Sequence, residues 1–389
     1  MHKYTLQNLI HINNGMDYRH LEKGTIPVYG SGGYMTSVDQ FLYEGESILL
    51  PRKGSLDNIM FVDGKFWTVD TMYWATVNPK LANAYYLYNL LKILDFAGVR
   101  SGSTLPSMTS SAYYNIPVTL PDVKVQDSIA NILKSINSKI ELNNKINTEL
   151  ETIAKDLYNY WFVQFDFPDE FRRPYKSSGG KMVYNDVLKR EIPEGWEVES
   201  IADNKLSSIL KPGIDAFDTH KIYLPTAAIE GDGIIDRSNI ITYTNREGRA
   251  NMQPVTNSVW FAKMKNTKKV LYFGDYSTER IDSTILSTGM LGLKCNDYAL
   301  EYVWNFVNND NFEAIKDKLA HGATQEGVNN EDLLYFPMLI PTKNILQNYS
   351  SMLRDLYKQK YLNELENEHL AETRDFLLPM LMNGQVSVS

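Results

Sequence analysis

The sequence predicts an α+β fold: two mixed α/β globular units separated by two long antiparallel helices, with internal pseudo-two-fold symmetry. Three observations predict it. Gly102-Ser103-Thr104, Ile116-Pro117 and Leu120-Pro121 return as Gly322-Ala323-Thr324, Phe336-Pro337 and Ile340-Pro341, at a constant offset of 220 (322−102, 337−117, 341−121). Each set is followed by a long amphipathic stretch, Gln126 to Trp161 in one half and on to Leu381 in the other. A repeat this long describes a duplicated protein rather than a solenoid. The segment between the halves, Phe167 to Trp196, is rich in Pro, Gly, Ser and charge and reads as a surface connection.

The boundaries follow. Residues 1–122 form the first globular unit, 123–165 the first long helix, 166–195 the connection, 196–342 the second globular unit, 343–382 the second helix and 383–389 a tail. In the first unit, Asn58-Ile59-Met60-Phe61-Val62 and Lys65-Phe66-Trp67-Thr68-Val69 flank Asp63-Gly64, the signature of a tight hairpin. Apolar recurrence at Leu81, Tyr85, Tyr88 and Leu91 predicts a helix over Leu81–Leu94. Tyr86-Leu87-Tyr88-Asn89-Leu90 returns as Tyr302-Val303-Trp304-Asn305-Phe306, whereas the upstream parts of the two units scarcely match. A shared half and a variable half are expected of a common scaffold carrying different readers.

The first helix carries Ile129, Ile132, Leu133, Ile136, Ile140, Ile146, Leu150, Ile153 and Leu157 in one stripe. Its residues would extend about 55 Å. The second places Tyr349, Met352, Leu353, Leu356, Leu370, Leu377 and Leu381 correspondingly. Asn143 and Asn363 interrupt the two stripes, again 220 apart. Each either fixes register inside a seam or sits at a rim facing water, and the sequence leaves both open. Neither stripe is satisfied alone, so the simplest arrangement pairs the helices, with Ile129, Ile136, Asn143, Leu150 and Leu157 meeting Leu356, Asn363, Leu370 and Leu377.

Composition bounds the function. The 389 residues are ordinary in apolar content, and their net charge is −8. The excess acid lies mostly in 196–342, with 14 basic and 20 acidic side chains. Dedicated nucleic-acid binders are usually basic, so DNA binding here would need local basic patches or a partner's phosphate contacts. The apolar runs are too short for a membrane span, and the first residues lack the apolar segment of a signal peptide, so cytoplasmic location is the expectation. One cysteine, Cys295, excludes an internal disulfide and a CxxC site. The six histidines have no metal-ligand spacing, and no phosphate loop, GxSxG elbow or methyltransferase motif is present. Tyr29-Gly30-Ser31-Gly32-Gly33-Tyr34 reads as a turn. No catalytic constellation and no metal site is expected on this chain.

In order and duplication these motifs resemble the specificity (S) subunit of type I restriction-modification systems over nearly the whole length. The resemblance rests on Ile26 to Gly33, Ile48-Leu49-Leu50-Pro51-Arg52-Lys53-Gly54-Ser55, Gly102-Ser103-Thr104, Leu120-Pro121, Gln126 and Tyr160-Trp161-Phe162. Pro174 to Met182 and Arg190 to Trp196 look like that family's central linker; Tyr223-Leu224-Pro225-Thr226 and Thr373 to Pro379 match in the second half. One departure is visible, Leu346 standing where Gln126 stands in the first copy. The resemblance implies two target recognition domains, each reading half of a split, asymmetric DNA sequence. It implies helices that set the spacer and dock two methyltransferase (M) subunits. Restriction (R) subunits would complete the complex, and S-adenosylmethionine would be bound by the methyltransferase partner. No cofactor and no catalysis would belong to this chain.

Residue type nominates the contacts. Arg52, Lys53 and Ser55 follow a short apolar strand, where a loop presents cations to phosphates or guanine edges. Lys263, Lys265, Asn266, Lys268 and Lys269 form a lysine-rich hairpin tip, which suits a DNA groove or is a solvated turn. Arg246 and Arg249 flank Gly248. Arg100, Ser103 and Thr104, and His321 and Thr324, recur where each unit meets its helix, for backbone positioning or for packing. Tyr29 and Ser31, with Tyr34 and Tyr73, are candidates for the reading surface. Two other readings stay open: an enzyme with an unrecognised site, and a coiled-coil adaptor whose aromatic-rich units bind protein or carbohydrate without DNA specificity.

Overall fold

A computed structural model of the chain describes residues 1–96, 107–322 and 326–386. Two compact units emerge, 1–142 with 366–389, and 143–365. Each long helix contributes one stretch to each.

The first unit runs β1 (His2–Thr5), α1 (Leu6–Leu9), β2 (Ile10–Asn14), β3 (Lys23–Gly30), β4 (Gly33–Val38), β5 (Tyr43–Glu44), β6 (Ser47–Pro51), β7 (Met60–Val62), β8 (Lys65–Thr68) and β9 (Met72–Val77). Then come α2 (Ala84–Ile93), α3 (Ser110–Tyr114), β10 (Pro117–Leu120) and the start of α4 (Val123–Tyr158). Two four-stranded sheets form, in the orders β2-β9-β6-β7 and β4-β3-β8-β5, and β1 pairs with β10. All five residues of β6 are buried, as a continuous apolar run demands of a central strand. Helix α2 begins later than periodicity alone predicts, because Asn83 caps it: its side chain accepts from the Tyr86 N–H. Gln126 at the start of α4 locks that cap to the long helix, accepting from the Asn83 N–H at 2.9 Å and donating to Pro121 O at 2.9 Å.

The expected hairpin at Asp63-Gly64 is not formed. β7 pairs with β6, and β8 pairs with β5 and β3. Tyr43–Glu44 and Ser47–Leu49 run antiparallel to Met60–Phe66 in one unbroken register (Tyr43 opposite Phe66, Leu49 opposite Met60), and Gly45 and Gly64 exchange backbone hydrogen bonds at 3.0 and 3.4 Å. Both glycines have positive φ, 134° and 123°. Asp63-Gly64 is therefore the kink where a single ribbon bends from one sheet into the other, and the chain reversal lies beyond, at 52–59.

The second unit contains the rest of α4, a π-helical turn (Asn159–Val163), β11 (Met182–Asn185), β12 (Arg190–Pro193), β13 (Glu197–Ser200), β14 (Ser207–Ile209), β15 (Lys221–Leu224), β16 (Ile229–Glu230), β17 (Gly233–Ile234), β18 (Ile240–Ile241), β19 (Ala250–Met252), β20 (Ser258–Ala262) and β21 (Val270–Phe273). It continues with α5 (Thr278–Ser283), β22 (Thr284–Ser287), β23 (Met290–Cys295), α6 (Leu300–Val307), α7 (Asp310–Leu319), β24 (Pro337–Ile340) and the start of α8 (Lys343–Met382). Its sheet orders are β14-β23-β20-β21 and β18-β15-β22-β19, and β13 pairs with β24. The parallel pair β15/β22 stands where β3/β8 stands in the first unit. The upstream halves, which scarcely match in sequence, thus share one topology. Even registers agree: Ile48 faces Ala75, and their counterparts Val259 and Leu293 face each other.

The connection is more than surface chain. β11 and β12 form a hairpin, and Phe165, Phe167, Ile192 and Trp196 enter the second unit's core, Phe167 stacking on Trp196 at 5.0 Å and on Tyr175 at 4.6 Å.

The long helices run antiparallel within each unit. In the first, Arg374 donates to Asn137 at 3.0 Å and Lys139 pairs with Glu366; in the second, Asn147 meets Asn363 and Glu151 meets Lys360. α8 starts 220 residues after α4 (343−123), although Leu346, fully buried, replaces Gln126. Of the residues expected to pair the helices, Ile129, Asn143 and Asn363 are buried, and Ile136, Leu150, Leu157, Leu356, Leu370 and Leu377 are half-buried. Ile146, Ile153 and Met352 correct the expected stripes, being 37%, 53% and 52% exposed. The inward positions are Asn147 and Ala154, one residue further along, and Leu353, which the expected stripe already contains. The two asparagines are not at a rim: Asn143 is 1% and Asn363 5% exposed. Asn363 Nδ2 donates to Asn147 Oδ1 and its Oδ1 accepts from Gln359 Nε2, both at 2.8 Å.

Replacing Asn363 by Ala leaves Asn147 and Gln359 without these partners. The substitution is expected to cost about 1–3 kcal/mol, read as a lower urea midpoint at unchanged m value; an unchanged midpoint would show that water substitutes for the amide.

Candidate nucleic-acid interface

Three segments of the first unit converge on the loop that follows β6. The Arg52 N–H donates to Thr71 O at 2.8 Å, Arg52 O accepts from the Met108 N–H at 3.0 Å, and Lys53 bridges Ser107. Asn58 Nδ2 donates to Ser31 O at 2.9 Å, tying the loop to the β3–β4 turn. Gly54 lies at φ 86°, and a Cβ there would stand 3.0 Å from Ser31 Oγ, so a glycine is required twice over. Ser31 is thereby held against the loop that carries Arg52, Lys53 and Ser55, whereas Tyr29 packs against the core cluster of Leu49, Phe66 and Met72. The Arg52 guanidinium lies 5.8 Å from the Tyr73 ring and 3.5 Å from Asp70 O, a loose hold that leaves its fork available. Lys53 and Ser55 are exposed, and no described carboxylate forms an ion pair with Arg52 or Lys53. Tyr29 is half-buried, and burial raises its phenol pKa; Tyr34 is exposed, with its hydroxyl 3.0 Å from Ser37 Oγ; Tyr73 belongs to the core.

In the second unit the lysine cluster forms the connection from β20 to β21, the place topologically equivalent to the Arg52–Lys53 loop. Lys263 O accepts from the Val328 N–H at 2.9 Å and Met264 bridges Gly327, repeating the bonds of Arg52 and Lys53. The two clusters, nominated on residue type alone, are one structural position used twice. Their electrostatics differ. Lys265 pairs with Glu326 and Lys268 with Asp310, each at 2.7 Å, and Lys269 Nζ donates to Thr226 O at 2.7 Å. Burial lowers the Lys263 pKa. The Asn266 N–H, at φ 52°, donates to Asp317 Oδ1 at 2.9 Å, and the fully buried Lys316 Nζ donates to Thr267 O at 2.8 Å while pairing with Glu313. Sequence therefore overstated the free charge of this tip. It also missed Lys316, which props the loop from α7 and carries no signal beyond being a lysine in an amphipathic helix. Asn58 and Thr71 were missed likewise, since only folding brings them to Ser31 and Arg52.

The remaining candidates are dispersed. Arg246 is half-buried, lying over the Tyr243 ring at 4.3 Å and donating to Tyr243 O; Arg249 is exposed. His321 is exposed, 3.5 Å from Asp332. Arg100, Ser103, Thr104 and Thr324 lie outside the described residues. Among the described residues, no group of three His, Cys, Asp or Glu side chains is placed to hold a metal, and no helix is long and apolar enough to cross a membrane.

Residues 1–152 match the model of the type I restriction modification DNA specificity domain. The chain is 26% identical over 321 residues to the type I restriction enzyme MjaIX specificity subunit of Methanocaldococcus jannaschii, covering 78% of this chain and 68% of that one. It is 23% identical over 340 residues to the type I restriction enzyme HindI specificity subunit of Haemophilus influenzae, covering 74% and 72%. Over most of its length the chain is similar to type I restriction-modification specificity subunits. The crystal structure of such an S subunit from M. genitalium shares the fold, with a TM-score of 0.59 over 98% of this chain and 96% of that one at 14% identity.

Ion pairing within the second loop makes the two loops respond differently to substitution. Lys53→Ala is expected to reduce the slope of log K against log salt by about one, and Lys268→Ala, already neutralised by Asp310, to leave it unchanged. Fluorescence anisotropy titrations of target duplex across a salt series measure both; equal slopes would mean that Lys268 leaves Asp310 for phosphate.

Proposed function

We infer that this chain is the DNA sequence-recognition subunit of a type I restriction-modification complex. The duplicated position of the two basic loops carries the reading. One sheet topology presents the same connection twice, with different side chains, as a protein must do that reads two unlike half-sites. The first unit offers Arg52 and Lys53 with few competing partners, and a guanidinium can recognise a guanine edge bidentately. The second offers a propped, charge-compensated loop, suited to positioning.

The helices, as two continuous rods, would set the spacer between half-sites and dock two methyltransferase subunits. Those subunits would bind S-adenosylmethionine and methylate an adenine in each half-site, taking the base out of the stack. Restriction subunits would add translocation and cleavage. The net charge of −8 fits a subunit that relies on its partners for much of the phosphate contact. The adaptor reading is not favoured, since it leaves the specificity-domain match over residues 1–152 unexplained.

The test is co-expression with the methyltransferase subunit and single-molecule sequencing of host DNA for methyladenine. Methylation at one split, asymmetric motif that disappears when this chain is deleted is the expected result. An active methyltransferase whose pattern is indifferent to the deletion would refute the reading.

A further inference from the structure

The second unit contains an ion network that neither the repeat nor the DNA-facing loops explain. Lys360 of α8, its side chain 14% exposed, pairs with Glu151 of α4 at 3.0 Å, with Asp232 in the β16–β17 turn at 2.8 Å, and with Glu364 at 3.0 Å. Glu364 also holds Arg280 of α5 at 2.8 Å, and the Arg280 guanidinium lies 4.9 Å from the Tyr361 ring. One ammonium thus joins both long helices to a turn of the globular part. Burial works against its charge, and Glu364, Asp232 and Glu151 together outweigh that, holding the Lys360 pKa above its ordinary value.

Buried ion pairs contribute little net stability, but they are directional, and breaking one leaves an uncompensated charge. The directions here matter. Asp232 adjoins Gly231, which bridges Lys269, and Gly231 O accepts from the Val270 N–H at 2.8 Å. A cavity of 330 Å³ is lined by Glu151 and Asp232 together with Lys268. Lys360 thus reaches Lys269, at the end of the basic loop, through Asp232 and Gly231. The network does not follow the repeat: the positions 220 away from Lys360, Glu364 and Glu151 are Ile140, Asn144 and Ala371, and the β3–β4 turn is too short to contain a β16–β17 hairpin.

We propose that Lys360 is a specificity-determining positioning residue: it fixes the angle at which the second recognition unit's basic loop stands on that unit's helical segments, and so the spacer length the complex accepts. The proposal rests on the DNA-recognition reading above. It concerns the distance between half-sites and not the bases within either.

The experiment uses the chain assembled with its methyltransferase partner and S-adenosylmethionine. Methyl transfer is measured on duplexes carrying both half-sites at the preferred spacer and at spacers one base pair shorter and longer. Lys360→Met and Asp232→Asn are expected to lower the preference for the native spacer about tenfold, to keep the base specificity of both half-sites, and to be rescued by Lys360→Arg. Asp232→Asn leaves Lys360 its other two carboxylates, so it reports even where Lys360→Met does not assemble. A uniform loss of rate on all spacers, or an unchanged spacer ratio in assembled variants, would overturn the proposal and leave the recognition reading intact. A wild-type complex indifferent to half-site sequence would bring down both.

Discussion

Two long amphipathic helices cannot leave their apolar stripes in water, and everything else in this chain is arranged around how those stripes are buried. A helix of 36 residues spans roughly 54 Å, at about 1.5 Å per residue. An isolated rod of that kind is stabilised mainly by what packs against it. Within each unit its partner is the other helix, running the opposite way. The seam is not uniformly apolar: Asn143, Asn147 and Asn363 are buried in it, and the Asn363–Asn147 bond is satisfied only in one alignment of the two helices. A polar pair in a seam costs stability and selects a register. For a protein whose helices would measure distance along DNA, a selected register is the property that counts.

The downstream halves of both units were legible in the sequence because their repeat survives at one offset. From β10/β24 through the start of the long helices, that offset is 220 (337−117, 343−123), and Tyr86 and Tyr302 mark the helices before it. Upstream the same topology is repeated at shifting offsets, 195 from β1 to β13 (197−2), 211 from β6 to β20 (258−47) and 218 from β9 to β23 (290−72). Insertions in loops erase a sequence period, while ladder registers persist because one slipped residue would turn a buried face to water. The Asp63-Gly64 hairpin failed for a related reason. The dipeptide reports a local bend, and local chemistry cannot tell a chain reversal from a kink in a ribbon that two sheets share.

Candidate site residues were legible as types and positions in loops, not as electrostatics. Arg52 and Lys53 sit in the loop the sequence indicates, and the glycine beside them has a conformational reason. The lysines after β20 look identical on paper, yet Glu326, Asp310 and Thr226 come from distant segments to engage them. Asn147 in the seam, Lys316 beneath the loop and Lys360 between helix and turn escaped notice together. Each is polar, buried or half-buried, and held in part by partners far away in the chain. The acidic overall charge is likewise resolved by placement, since many of the acids of the second unit are spent on its own cations.

The central claim is that the helix pair sets the distance between two independently read half-sites. Its most direct test is a matched insertion of four residues in the middle of both helices, followed by methylome sequencing with the methyltransferase partner present. The account predicts that both half-sites persist while the spacer lengthens by about two base pairs, one helical turn adding roughly 6 Å. An unchanged spacer would contradict it.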